Sequence, residues 1–154
     1  MNVLMLLTPK SEVEYIIDTY TIRQGLEKIR ANGYTAIPVI TKEGLYVGSV
    51  SEGDFLWHIV DNGNEKSAMK KCENYRISQI LKPDRYPAVT VDVEMDVLIE
   101  KSAQQNFIPV TDDRGFFIGI VTRKTVIRAL CPNSLDIGGA MPTRVSSAVD
   151  LVNS

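Results

Sequence analysis

"AIPVITKEGLYVGSVSEGDF" occupies residues 36–55, and "FIPVTDDRGFFIGIVTRKTV" occupies residues 107–126. Laid one on the other without a gap, Ile37, Pro38 and Val39 meet Ile108, Pro109 and Val110. Gly44 meets Gly115, Gly48 meets Gly119, and Ser51 meets Thr122. Spaced identities of this kind, with apolar character matched between them, mark a tandem duplication. The copies part at one position: Asp54 in the first meets Thr125 in the second.

Each copy reads as helix, strand, strand, helix. Thr21 carries the hydroxyl of an N-cap, and Ile22, Leu26 and Ile29 recur on one face of the helix it opens. Gly33 suits the left-handed position that ends it. "TAIPVI" (35–40) is a short strand, in which Pro38 predicts an edge or irregular place. "TKEG" turns the chain back into "LYVGSV" (45–50), and Ser51 caps the helix "EGDFLWHIV". In the second copy Asp92 is expected to cap a helix from Val93. "NFIPVT", "DDRG" and "FFIGIV" follow as strand, turn and strand, and Thr122 caps "RKTVIRAL". The organisation expected is a first repeat at 1–60, a linker at 61–76, a second repeat at 77–131 and a tail at 132–154.

Composition narrows the function classes. Of 154 residues, 44% are hydrophobic and 23% charged, ordinary values for a soluble globular protein. A net charge of -2 gives no basic face, so nucleic acid is not an expected partner. Cys72 and Cys131 lie far apart with no CxxC spacing, which suits reduced thiols in the cytoplasm. The single His58 leaves a zinc site short of ligands, so no metal is expected. The opening "MNVLMLLTPK" is too short for a signal sequence, and no apolar run approaches the roughly 20 residues of a membrane helix. The expected localisation is cytoplasmic, with no membrane partner. No nucleophile–base pair is apparent, so no catalytic residue and no enzyme activity are expected.

The h-x-h-P-V strand followed by G-x-x-[ST]-x-x-D at the next helix start resembles the CBS domain, and the tandem pair resembles a Bateman module. The resemblance covers roughly residues 3–130, and the second copy departs from it at Thr125. It implies an α+β (α/β) architecture of two repeats, each a short sheet with helices packed on it, related by a pseudo-two-fold axis. It further implies clefts between the repeats that take adenosine-containing ligands: AMP, ADP, ATP, S-adenosylmethionine or cyclic di-AMP. The adenine nucleotide would be a regulatory ligand rather than a catalytic cofactor, and its state would pass to a regulated protein. Dimerisation of the pair is also implied.

The chemistry of the turn can be argued from the residues. Ser51 and Thr122 stand at helix N-termini, among unpaired N–H groups and the positive end of the helix dipole, a ready place for a phosphate. Asp54, one turn in, can accept hydrogen bonds from a ribose diol; Thr125 offers only a neutral partner. By resemblance the adenine lies against Tyr34, Thr35, Ala36 and Ile37, and Phe107 stands in the counterpart strand. Arg123, beside Thr122, could hold a phosphate bidentately. Equally, Ser51 and Thr122 could serve as helix caps alone, and Arg123 could be a solvated surface residue.

Small stand-alone bacterial CBS-pair proteins that bind cyclic di-AMP have similar "GYTAIPV" and "G-I-x-T-R" stretches. Some also carry a basic residue ahead of the first site strand. Here that stretch is "SEVEY", with Glu12 and Glu14, and Lys10 nearby. A cyclic di-AMP receptor and a ligand-free interaction module therefore stand as alternatives. Trp57, His58, Tyr46, Phe116 and Phe117 are read as core or interface, and Asp112 and Asp113 as hairpin-turn acids.

Overall fold

The computed structural model describes residues 2–33, 35–60, 70, 72–82 and 84–132. In chain order the elements are β1 (Thr8–Pro9), β2 (Ile16–Ile17), α1 (Ile22–Asn32), β3 (Ala36–Ile40), β4 (Tyr46–Ser51) and α2 (Glu52–Val60). They continue with α3 (Ile77–Ile80), β5 (Val89–Thr90), α4 (Met95–Gln104), β6 (Phe107–Thr111), β7 (Phe117–Thr122) and α5 (Arg123–Leu130). The described residues of Glu14–Arg85 form one compact unit, and those of Met1–Val13 and Tyr86–Ser154 the other.

The middle unit carries a three-stranded sheet in the order β2-β3-β4. Thr21 opens α1 with a capping box: its hydroxyl accepts from Gln24 N at 3.1 Å, and Gln24 Oε1 accepts from Thr21 N at 2.9 Å. Gly33 closes the helix at φ 67°. Ile22 and Ile29 are buried, as the helical spacing predicts. Phe55 of α2 and Ile77 of α3 are buried with them. Full burial of such side chains stabilises by about 1.5–3 kcal/mol each.

Pro38 does not lie on an edge strand; β3 runs between β2 and β4. The reason is the length of β2, which pairs in parallel only with Val39 and Ile40. Pro38 sits one residue short of that pairing, so its missing N–H removes no β2–β3 bond. Pro109 repeats the arrangement, since β5 reaches only Val110 and Thr111 of β6. Both hairpins also carry a register irregularity at the same place, Val39/Ile40 and Val110/Thr111.

The other unit carries four strands in the order β1-β7-β6-β5. Its core includes Val3, Leu6, Leu98, Ile108, Val121 and Val126. Here β1, from the first residues of the chain, pairs antiparallel with β7: Thr8 with Ile120 and Pro9 with Gly119. The expected cap at Asp92 is not formed. Val93 N instead closes a turn on Thr90 O, Asp92 accepts from the Thr90 hydroxyl, and α4 begins at Met95 behind Glu94. The hairpin turn reads as expected, with Asp112 Oδ1 accepting from Arg114 N and Phe116 N at 2.9 Å each. The expected linker lies largely, and the tail almost wholly, outside the described residues.

Candidate functional site

The strand–helix junction of the middle unit is built on a charge. Ser51 ends β4, and its hydroxyl accepts from Asp54 N at 3.3 Å; Asp54 Oδ2 accepts in return from Ser51 N at 2.8 Å. This is a capping box with a carboxylate in the third position, and it fixes Asp54 at the N-terminus of α2. Glu52 N donates to Thr35 O at 2.9 Å, so the end of β3 covers the first turn of the helix. Ala36 pairs directly with Ser51 across the sheet, and Ile37 with Val50. Ala36 and Ile37 are buried and Thr35 is exposed.

The Asp54 side chain is 1% exposed. A carboxylate so placed must be compensated, and two cations from the segment after α3 do it. Arg85 Nη1 stands 2.9 Å from Oδ1, and Lys82 Nζ stands 3.7 Å away. The same Nη1 donates to Ser51 Oγ at 2.9 Å. Oδ1 thus receives charge, yet among the described residues it accepts no hydrogen bond. A buried acceptor with no donor is costly to leave unmade. Helix capping does not explain it.

The position of the cations follows from strand geometry. Lys82 bridges antiparallel to Ser49 of β4, and Leu81 lies over Gly48, where an added Cβ would come within 3.0 Å of its side chain. Arg85 N then turns back onto Lys82 O. Sequence reasoning missed both residues, which fall within the stretch 77–131 assigned to the second repeat. The signal was present in "LTPK" and "LKPD": Thr8 pairs with Ile120 as Lys82 pairs with Ser49.

The equivalent junction in the other unit is neutral. Thr122 Oγ1 accepts from Thr125 N at 3.0 Å, and the two hydroxyls lie 2.7 Å apart. Arg123 N donates to Asn106 O at 3.0 Å, as Glu52 N does to Thr35 O. The Arg123 side chain folds back, with Nε donating to Ser102 O at 2.7 Å. Phe107 is buried and pairs with Thr122, where the first copy has Ala36. Tyr86 stacks on it, with ring centroids 4.7 Å apart and planes 11° from parallel.

Of the expected site residues, Thr35, Ala36, Ile37, Ser51 and Asp54 come together in the middle unit, and Phe107, Thr122, Arg123 and Thr125 in the other. Tyr34 lies outside the described residues. Trp57 is 64% exposed, while His58 packs edge-on against Tyr75 at 5.0 Å. Phe117 is buried, and Tyr46 and Phe116 are half-buried. Burial, then the charge of Glu73, push the Cys72 thiol up. Among the described residues no group of His, Cys, Asp and Glu could hold a metal, and no helix is long and apolar enough to cross a membrane.

The family model described as CBS domain matches the chain twice, over residues 7–61 and 77–132. The chain belongs to the CBS domain family. The two strand–helix junctions are therefore the corresponding junctions of two CBS repeats. Among solved structures, a CBS domain protein from Streptococcus pneumoniae TIGR4 is 26% identical, with a TM-score of 0.76 over 87% of this chain and 89% of that one. CbpB from Listeria monocytogenes in complex with c-di-AMP is 18% identical, with a TM-score of 0.72 over 84% and 94%. CBSX2 in complex with AMP is 22% identical, with a TM-score of 0.66 over 86% and 98%. No curated protein matches the chain.

Proposed function

We propose that this CBS pair is a regulatory module that takes an adenine nucleotide, of the AMP, ADP or ATP class, at the Ser51–Asp54 junction and carries out no chemistry of its own. The observation that carries the reading is Asp54 Oδ1, buried, charged and without a hydrogen bond among the described residues. A ribose diol supplies the donors that such an oxygen lacks. The base would lie toward Thr35, Ala36 and Ile37, and a phosphate would meet the N-terminus of α2 beside Ser51. CBSX2, of like fold, is known in complex with AMP, which supports the ligand class.

A second reading, a cyclic di-AMP receptor, is favoured by the likeness to CbpB in complex with c-di-AMP and by the two cations beside Asp54. In either case the module would act as a cytoplasmic homodimer that reports ligand to a protein it regulates. Exposed Leu56 and Trp57 on α2 offer an apolar surface for such contacts.

Thermal unfolding with AMP, ADP, ATP, S-adenosylmethionine, NAD and cyclic di-AMP tests the reading. A ligand held at about 100 times its Kd adds about 2.7 kcal/mol. Stabilisation by an adenosine ligand that disappears in Asp54→Ala is the expected result. No stabilisation by any of the six would leave an interaction module with no nucleotide.

A further inference from the structure

We propose that Arg85 is the specificity-determining residue of the Ser51–Asp54 junction: its guanidinium, which now neutralises Asp54, turns to the phosphate of a bound nucleotide and selects it over the bare nucleoside. The inference rests on the nucleotide reading above and goes beyond it by naming the group that reads the phosphate.

One buried carboxylate faces two cations, Arg85 at 2.9 Å and Lys82 at 3.7 Å. Either cation alone balances Asp54, so one positive charge is in surplus at this point. The neighbouring acids do not absorb it. Glu52 and Asp84 are exposed, and neither forms an ion pair among the described residues.

One N–H of Arg85 Nη1 donates to Ser51 Oγ, and Asp54 Oδ1, 2.9 Å from the same nitrogen, accepts no hydrogen bond from it. A ribose hydroxyl that donates to Oδ1 would therefore displace no hydrogen bond between Arg85 and Asp54. Lys82 would remain to balance the carboxylate. The Arg85 side chain is 39% exposed, and a guanidinium has five N–H groups in a fork that fits a phosphate. The anchor point is already beside Ser51 and the start of α2, where phosphate is favoured. Arg123 has no such freedom of position, because its Nε is tied to Ser102 O at 2.7 Å.

Calorimetric titration of AMP and of adenosine into the full chain, wild type and R85Q, tests the proposal. Wild type is expected to bind AMP more tightly than adenosine. In R85Q, AMP should weaken by roughly 10- to 100-fold, the range for a hydrogen bond to a charged group, while adenosine changes by less than about 2-fold. R85K, which keeps the charge and loses the fork, should fall between. The double variant D54N/R85Q leaves no uncompensated buried charge and keeps an acceptor for ribose. It reads the same AMP-to-adenosine ratio should R85Q alone fail to fold. Equal weakening of both ligands in R85Q, or wild-type affinities that do not differ, would overturn the role of Arg85 and leave the nucleotide reading standing. A wild type that binds neither ligand would overturn both.

Discussion

The two strand–helix junctions share backbone and differ in chemistry. Ser51 and Thr122 end matched strands, accept from the third residue of the following helix, and are closed by matched bonds to Thr35 O and Asn106 O. Around Ser51 the polar core is a carboxylate with two cations, facing the small Ala36. Around Thr122 it is a pair of hydroxyls, facing Phe107 with Tyr86 stacked upon it. Duplication kept what the fold needs, namely the cap, the paired strands and the close glycine. It did not keep the carboxylate, whose place Thr125 takes. The hydroxyls of the Thr122 junction satisfy one another, whereas Asp54 Oδ1 accepts no hydrogen bond among the described residues.

Substitutions at matched positions test this contrast. The largest effect is expected at Gly119, where a Cβ would collide with the Thr8 carbonyl oxygen of β1. Gly119→Ala should cost about 3 kcal/mol in chemical denaturation, because backbone cannot yield cheaply. Gly48 shares the positive φ of Gly119, at 148°, but its nearest obstacle is the Leu81 side chain at 3.0 Å, which can move, so Gly48→Ala should cost less, about 2 kcal/mol. Equal losses would mean that the two glycines do not play the different roles assigned to them.

Asp54→Ala should weaken AMP by about 100-fold, or about 2.7 kcal/mol, while Thr125→Ala leaves it within about 2-fold. Similar losses in calorimetry would make the junctions functionally equivalent. Tyr86→Ala should lower stability by about 1–1.5 kcal/mol by removing the stack on Phe107. An unchanged melting temperature would deny the stack its structural role. The smallest effect is expected from Arg123→Ala, about 1 kcal/mol of stability through the lost bond to Ser102. AMP affinity should fall less than in R85Q; a greater fall would move the phosphate reader to the other unit.

Local pattern made most of the fold legible. Periodic Ile22 and Ile29, the Thr21 cap and Gly33 report interactions within a few residues, and each stands where the sequence puts it. Asp54 and Ser51 were legible for the same reason, being partners three residues apart. Lys82 and Arg85 were not, since their partners are set by a single bridge, Ser49 to Lys82, that leaves no periodic trace. A two-residue strand such as β1 is likewise too short to show alternation, and its partner β7 lies at the far end of the described chain. Asp92 misled because a short acid serves a turn as readily as a cap. Pro38 was legible in part: the irregular place expected of it stands beside it at Val39/Ile40, while the edge did not follow because the length of β2, rather than its presence, decides whether a missing N–H matters.

The pairing of β1 with β7 also sets an order of events during synthesis. Thr8 and Pro9 leave the ribosome long before the strand they join, which is completed only with Thr122. The unit of Glu14–Arg85, by contrast, has all its parts once Arg85 has emerged, including both cations for Asp54. The β1 segment must therefore wait unpaired while Glu14–Arg85 folds. A gene fragment cut at the linker would strand β1 with one half and Lys82 and Arg85 with the other. Neither repeat can be inherited or transplanted whole without its sister.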